Sequence, residues 1–472
     1  MKRIKTDVLV IGAGSGGLSV AAGAVQMGAR VVLLEGGKMG GDCLNYGCVP
    51  SKALIAAAGV AHAQRGAERF GIAPGSGRAD YAAVQAHVAD VIAQIAPVDS
   101  QERFEGLGVR VIRDYGRFVS RRKVRAGEFL IKARRIVIAT GSSPMVPPID
   151  GLGDVPYLTN ETLFDLREKP AHLLIIGGGP IGMEMAQAHV RLGCQVTVIE
   201  AARALAKDDP ELSAQVLDSL RAEGVTLHEQ TKIAKVRQTA GQICVTAQDG
   251  QEYCGSHLLV AAGRRANLDR LDLNAAGIQA QDGVISVNAG LRSTNRRVYA
   301  IGDVVGGLQF THVAGYHAGV ILKSMLFGLP ARAGRAHIPW VTYTAPELAQ
   351  VGLTEAEAKD RHGDKLEVVR FDTGENDRAL AQRAGGGVIK VMAVKGRPVG
   401  VSIVGPQAGE QIALWSLAIV NRLKLGQIAA MVAPYPTLSE INKRAAGAYF
   451  SPRLFQSPAI KRIVRLIQRV IF

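Results

Sequence analysis

Two glycine-rich loops built to the same internal spacing constrain this chain more than any other feature. Asp7-Val-Leu-Val-Ile reads as a short buried strand. It runs into Gly12-Ala-Gly14-Ser-Gly-Gly17, a small-residue helix ending near Gly28, and a second strand, Arg30-Val-Val-Leu-Leu, that stops at Glu35. The same order recurs 165 residues later: His172-Leu-Leu-Ile-Ile, then Gly177-Gly-Gly179-Pro-Ile-Gly182, then Gln195-Val-Thr-Val-Ile up to Glu200. Gly12 to Glu35 and Gly177 to Glu200 are both 23 residues. In each copy the first glycine makes a tight turn, the second lets the backbone approach a pyrophosphate, and the third lets helix and strand pack closely. The helix start offers free N–H groups to the phosphates, and the acid can accept hydrogen bonds from an adenosine ribose. One such loop says little, because glycine turns are common. Two, each in strand–loop–helix–strand context with an acid at the same offset, predict two dinucleotide sites. A carboxylate at Glu200 suits a free 2′-hydroxyl and repels a 2′-phosphate, which favours NADH, while Arg203 leaves NADPH open.

A cysteine pair follows the first loop directly, in Gly40-Gly-Asp-Cys43-Leu-Asn-Tyr-Gly-Cys48-Val-Pro50-Ser-Lys52. Pro50 suits a first helical turn, so Cys48 is expected at a helix N-terminus, where free N–H groups and the dipole stabilise a thiolate. Zinc is the competing use of paired cysteines, but no second pair or nearby histidine completes four ligands, and no metal site is expected. Cys194, Cys244 and Cys254 lie in or beside strand-like runs and read as inert small hydrophobes. Five cysteines are too few, and odd in number, for a disulfide-stapled secreted protein. The expected compartment is therefore reducing, and any disulfide would be catalytic.

With GGDCLNYGCVPSK between two such loops, the sequence resembles the pyridine nucleotide–disulfide oxidoreductases, a group that includes dihydrolipoamide dehydrogenase, glutathione reductase and mercuric reductase. The resemblance runs from Val8 to about Phe450. Ile138-Ala-Thr140-Gly141 and Val260-Ala-Ala-Gly263 resemble the crossover strands that end each dinucleotide domain. Tyr299-Ala-Ile-Gly302-Asp303 resembles the motif whose aspartate holds the FAD ribityl chain, and Val341-Thr-Tyr-Thr344-Ala-Pro346-Glu347 resembles the start of a dimerisation domain. The resemblance implies FAD on Gly12, Gly14, Gly17, Glu35, Lys52, Thr140, Gly141, Gly302 and Asp303. It implies the pyridine nucleotide on Gly177, Gly179, Gly182, Glu200 and Gly263. Electrons would pass from nicotinamide to flavin and then to a Cys43–Cys48 disulfide, with Cys48 as the flavin-proximal cysteine and Cys43 as the interchange cysteine. Lys52, paired with Glu184, would place a fixed positive charge where electron density builds up. A helix opening near Thr311-His312 would aim its N-terminus at the flavin.

Three departures bear on the acceptor. Where dithiol-handling relatives carry a histidine five residues before a glutamate, this chain has Tyr435 before Glu440. A tyrosine titrates near ~10 and a histidine near ~6.5, so Tyr435 can donate a proton but is a poor base at neutral pH. Mercuric reductase resembles the chain in having tyrosine there, but it also uses a C-terminal cysteine pair, and no cysteine follows Cys254. Asp42, where many relatives have threonine, is expected to disfavour a thiolate at Cys43.

The expected fold is α/β: two Rossmann-like three-layer domains that bind FAD and NAD(P), plus an α+β C-terminal dimerisation domain. The boundaries read as 1–148 for the first part of the FAD domain, 149–268 for the NAD(P) domain, 269–334 for a central segment completing the FAD domain, 335–450 for the interface domain, and 451–472 for a tail. A length of 472 residues suits about three domains of ~150, and 47% hydrophobic residues suffice for their cores. The net charge of +15 first suggests nucleic acid. Its distribution argues otherwise, since seven cations and no acid follow Glu440 and no basic run is interleaved with stacking aromatics. The basic stretch Arg121 to Arg135 reads as a solvated hairpin.

In the tail, Ser457-Pro458 opens a helix. Ile460, Ile463, Val464, Ile467, Val470 and Ile471 share one face, and Lys461, Arg462, Arg465 and Arg469 the other. Packing on the dimer and lying on an anionic membrane both fit this pattern. The basic, apolar start of the chain could pass for a secretory signal, yet the first loop uses the same residues better. No apolar run reaches the ~20 residues needed to span a bilayer. The expectation is a homodimeric NAD(P)H oxidoreductase that is cytoplasmic, with peripheral contact at the inner membrane face left open. Its acceptor would be a thiol, disulfide or thiophilic metal ion. The alternatives are a membrane-peripheral NADH:quinone diaphorase and a flavoprotein that acts mainly by docking to anionic membrane or nucleic acid.

Overall fold

The structure is a computed structural model that describes residues 1–471. The described residues form two compact units, 1–201 with 225–333 and 202–224 with 334–471.

In the first unit, Lys2–Ile11 is the central strand of a seven-stranded sheet. Val31–Leu34 and Phe129–Ile138 flank it in parallel, with Val8 opposite Val31 and Ile11 opposite Ile138. Arg110–Ile112 extends one side in parallel. On the other, Phe129–Ile138 is shared: its C-terminal half pairs in parallel with Val298–Ala300, and its N-terminal half pairs antiparallel with Lys123–Ala126. Lys123–Ala126 and Arg117–Ser120 form the expected basic hairpin. The pleat explains the unbroken apolar run of the first strand. Val8 and Val10 pack among Leu18, Phe104 and Tyr299, while Leu9 and Ile11 pack on the opposite face among Phe118, Ile131 and Ile136.

The second dinucleotide segment repeats this plan in a four-stranded parallel sheet, ordered Val225–His228, Gln195–Ile199, His172–Ile176, His257–Val260. Beside it, Ile233–Thr239, Gln242–Ala247 and Glu252–Gly255 make an antiparallel sheet.

That antiparallel sheet corrects the reading of Cys244 and Cys254. They stand directly opposite each other across two strands and form a disulfide, with Cα atoms 4.1 Å apart. Cys43, Cys48 and Cys194 are thiols. The expectation that any disulfide would be the catalytic one therefore fails in this structure. Cys194 alone fits the inert reading: it is buried, and burial pushes its thiol up to about 11.

The second unit is built on a five-stranded antiparallel sheet ordered Pro339–Thr342, Glu347–Gly352, Arg397–Gly405, Val388–Val394, Leu366–Asp372. Helices Ala408–Val420 and Glu440–Ala448 cover it, and Trp415 in their core donates to Asn442 Oδ1 at 2.6 Å. Lys390 is buried here among Asp209 (3.1 Å), Glu211 (2.7 Å) and Glu355 (2.9 Å). Burial opposes its charge, but hydrogen bonds to the three carboxylates outweigh that and hold the ammonium above the ordinary lysine range.

Candidate active site

The two glycine loops have matching geometry. Gly12 and Gly177 adopt φ of +104° and +115°, and a Cβ on either would fall within 2.5 Å of a carbonyl oxygen, that of Ala139 or Ala261. A Cβ on Gly17 would meet Gly12 O at 1.8 Å, and one on Gly182 would meet Gly177 O at 2.0 Å. These contacts are with backbone, so only glycine brings each helix this close to its strand. The acids also match. Glu35 accepts from Ala13 N at 2.7 Å and Glu200 from Gly178 N at 2.6 Å, so each carboxylate braces the loop beside its strand end. Gly14 and Gly179 cap helices Ser15–Gln26 and Pro180–Arg191 without any side-chain cap. A Cβ on Gly14 would touch only Gly41 Cα at 3.9 Å, and one on Gly179 would touch nothing. Uncapped helix N–H groups beside an open, Cβ-free surface are what a pyrophosphate requires. Both loops fit a dinucleotide.

The cysteines lie beside the first loop. Helix Cys48–Arg65 begins at Cys48, as Pro50 in its first turn predicts, and Cys43 lies in the preceding short helix Gly41–Asn45. The two thiols are hydrogen-bonded and polarise in opposite senses. Cys48 is lowered to about 6. The hydrogen bond from Cys43 is the main cause, helped by Thr311 and by the charge of Lys52, against burial and Asp42. Cys43 is pushed far up, first by that same hydrogen bond and then by burial. A thiol proton on Cys43 thus serves a thiolate on Cys48, and Thr311 Oγ1 lies 3.5 Å from Cys48 Sγ. Thr311 opens helix Thr311–Leu326, whose N-cap Phe310 provides no side-chain cap, so a second uncapped helix start adjoins the thiolate. Lys52 Nζ pairs with buried Glu184 at 2.7 Å. A cavity of about 390 Å³ opens beside Cys43, lined mainly by apolar residues such as Leu18, Leu44, Ile95 and Phe104 together with Asp99 and Arg103.

Asp42 is held by two partners: its carboxylate takes Arg264 at 3.1 Å and Asn160 at 3.0 Å, and its field opposes ionisation of Cys48. Arg264 Nε also donates to Ser142 Oγ at 2.8 Å, and Ser142 donates to Asp303 Oδ2 at 2.5 Å. Burial raises the Asp303 carboxyl, while Ser142 and Arg264 oppose the rise. This chain of polar groups ties Asp303 to the cysteine turn. Ser142, Asn160 and Arg264 were not singled out from sequence, although Ser142 follows Gly141 and Arg264 follows Gly263 in motifs that were. Thr140 and Gly141 sit where their strand meets Asn267: Thr140 donates to its carbonyl at 2.7 Å, and Gly141 accepts from its N–H at 3.0 Å. Gly263 accepts from Met145 N at 2.9 Å, and Gly302 N donates to His317 Nδ1 at 3.2 Å.

In the second unit, Tyr435 is exposed and donates to Asp377 Oδ2 at 2.6 Å. That carboxylate raises the phenol above its ordinary value, so still less of Tyr435 is ionised at neutral pH and its proton is held more firmly. Glu440 pairs with Arg444 at 3.0 Å. Among the described residues no helix is long and apolar enough to cross a membrane.

Comparison with known proteins agrees with this geometry. The family model described as pyridine nucleotide-disulphide oxidoreductase matches residues 6–318, and that family's dimerisation domain matches residues 338–446. The chain is 34% identical over 457 residues to a mercuric reductase of Streptomyces lividans, covering 94% of this chain and 96% of the relative. It is 33% identical over 441 residues to the dihydrolipoyl dehydrogenase of Bacillus subtilis (strain 168), covering 91% and 96%. Among solved structures it is similar to LpdA from Mycobacterium tuberculosis (TM-score 0.86, 26% identity, covering 95% and 100%). It is likewise similar to the HOCl-induced flavoprotein disulfide reductase RclA from Escherichia coli in its Cu(II) complex (TM-score 0.84, 25% identity, covering 94% and 99%). With both domains matched and the loops and thiol pair in place, this chain belongs to the pyridine nucleotide-disulphide oxidoreductase family, whose members bind FAD and use a pyridine nucleotide.

Proposed function

We propose that the protein oxidises NADH, or less readily NADPH, and delivers the electrons through Cys43 and Cys48 to a soft acceptor, a disulfide or a thiophilic metal ion. The observation that carries this reading is the polarised thiol pair, with Cys48 at about 6 and Cys43 still protonated. Bound FAD supplies the two-electron relay between nicotinamide and sulfur. The first loop, Glu35, Lys52, Thr140, Gly141, Gly302 and Asp303 would hold it. Gly177, Gly179, Gly182, Glu200 and Gly263 would hold the nicotinamide cofactor.

The chain's own residues handle the protons. Cys48 Sγ is the base hydrogen-bonded to the Cys43 proton. Moving that proton to Cys48 frees a thiolate on Cys43, beside the cavity, to attack the acceptor. A disulfide acceptor then needs a proton on its leaving thiolate, and Tyr435, whose raised pKa makes it a weaker acid, gives one up reluctantly. A metal ion needs none. We therefore rank metal ions above dithiol substrates, in a homodimer acting in the cytoplasm.

The test is NADH oxidation by the FAD-loaded protein, with lipoamide and with Hg²⁺ in excess monothiol compared side by side. Turnover with Hg²⁺ that is lost in Cys43→Ser, with lipoamide slow, supports the reading. A Cys48→Ser protein that keeps the long-wavelength absorbance of the reduced enzyme sinks the role given to Cys48. The second reading is a quinone diaphorase at the membrane, favoured by the exposed apolar face of helix Pro458–Val470. It is distinguished by quinone turnover that survives Cys43→Ser.

A further inference from the structure

Helix Pro458–Val470 is the element whose packing the fold explains least. Local chemistry specifies it: Pro458 occupies its first position, and Ser457 Oγ accepts from Ile460 N at 3.4 Å. Yet none of its residues is buried. At 100° per residue, Ile460, Ile463, Val464, Leu466, Ile467 and Val470 fall on one side of the helix and Lys461, Arg462, Arg465 and Arg469 on the other. Ile463 is 54% exposed, Ile467 46% and Val470 83%. The short helix before it, Ser451–Phe455, adds Phe455 at 71%. A helix of this length is marginal in water unless its apolar side is covered.

Charge indicates what covers it. Past Glu440 the chain carries seven cations and no acid, and four of them line the polar side of this helix. A helix meant to cover a protein surface needs only a polar outer side, and mixed charges serve that purpose. Cations alone, on long stems that reach around an apolar stripe, complement an anionic surface in which the stripe is immersed. Thirteen residues extend about 20 Å, short of the ~30 Å hydrocarbon core, so the helix can lie in the interface but not cross it.

We propose that helix Pro458–Val470 docks the protein onto an anionic lipid bilayer, with its Ile/Val/Leu side immersed at the headgroup–acyl boundary and its four cations among the lipid phosphates. The inference does not rest on which acceptor is right.

The experiment is co-sedimentation of the full-length, FAD-loaded protein with phosphatidylcholine vesicles with and without about a quarter phosphatidylglycerol, alongside analytical ultracentrifugation. The expected result is binding to the anionic vesicles and little to the neutral ones. Arg465→Gln with Arg469→Gln should weaken binding by about fivefold per charge removed. Ile463→Glu with Ile467→Glu should weaken it at least tenfold while the flavin spectrum and the sedimenting mass stay unchanged. No binding to anionic vesicles, or binding that neither double variant alters, would overturn the proposal. So would a fall in mass for the isoleucine variant, because the occupant would then be a second copy of the chain. The arginine variant alters only exposed side chains, so it remains decisive if the isoleucine variant misfolds.

Discussion

Replacing Cys43 by alanine tests the thiol pair at its source, because the hydrogen bond from Cys43 is the largest cause of the low Cys48 pKa. With that bond gone, the pull of Thr311 and Lys52 is set against burial and Asp42, and Cys48 should return toward an ordinary thiol, near ~8.5. At pH 7 a pKa of about 6 leaves roughly nine-tenths of Cys48 as thiolate, whereas ~8.5 leaves about 3%. That is a roughly thirtyfold loss of thiolate. Nucleophilicity moves the other way: with a Brønsted slope of ~0.4–0.5, a rise of ~2.5 units makes each thiolate about tenfold more reactive. The two effects nearly cancel at neutral pH, so a single-pH rate would mislead. A full profile separates them. In the prereduced wild type, iodoacetamide labelling of the Cys48 peptide, followed by mass spectrometry, should fall away as pH drops through about 6. In Cys43→Ala the inflection should move up by about 2.5 units and the plateau should rise about tenfold. The profiles then cross, with the variant roughly tenfold slower at pH 6 and several-fold faster at pH 9. An inflection that stays near 6 in the variant would refute the reasoning and assign the low pKa to the helix start and Lys52 instead.

Three further outcomes follow from particular contacts. Gly182→Ala drives a Cβ to 2.0 Å from Gly177 O in the second loop only, so the purified variant should keep its flavin spectrum and lose nicotinamide binding, while Gly17→Ala should lose flavin; equilibrium dialysis with each cofactor separates the two. Denatured Cys43→Ser/Cys48→Ser protein should show one reactive thiol without reductant and three with it, because Cys244 and Cys254 are bonded and Cys194 is free; three thiols without reductant would mean the bond is absent in solution. Lys390→Met leaves buried Asp209 without its ammonium partner and should cost about 3 kcal/mol by urea unfolding. Because the folded lysine lies above the ordinary ~10.4, its contribution is complete at neutral pH and is lost only as pH rises into the strongly alkaline range.

The residues legible from sequence are those whose role is fixed by backbone a few positions away. A Cβ at Gly17 is excluded by Gly12, five residues back, and Cys48 starts a helix because Pro50 can occupy only a first turn, so spacing alone locates both. The residues that escaped notice depend on partners the linear sequence separates. Asp42 reads as a free carboxylate beside Cys43 until Asn160 and Arg264, which follow it by 118 and 222 residues, are seen to engage it. Cys244 and Cys254 lie between these cases. They are ten residues apart on either side of Asp249-Gly250, and a hairpin folded there sets opposite each other those residues whose numbers sum to 498. That pairing was open to a hairpin argument, and treating each cysteine as a separate small hydrophobe concealed it. Tyr435 shows the remaining limit. Sequence identifies it as a group that stays protonated at neutral pH, and the Asp377 contact holds that proton more firmly, so residue type and environment agree. Two indications of function that sequence could supply only separately then bear on the same chemistry. A thiol–thiolate pair poised to pass electrons, with a tyrosine that gives up its proton reluctantly, supports the proposed acceptor, one that takes electrons from sulfur and asks for few protons in return.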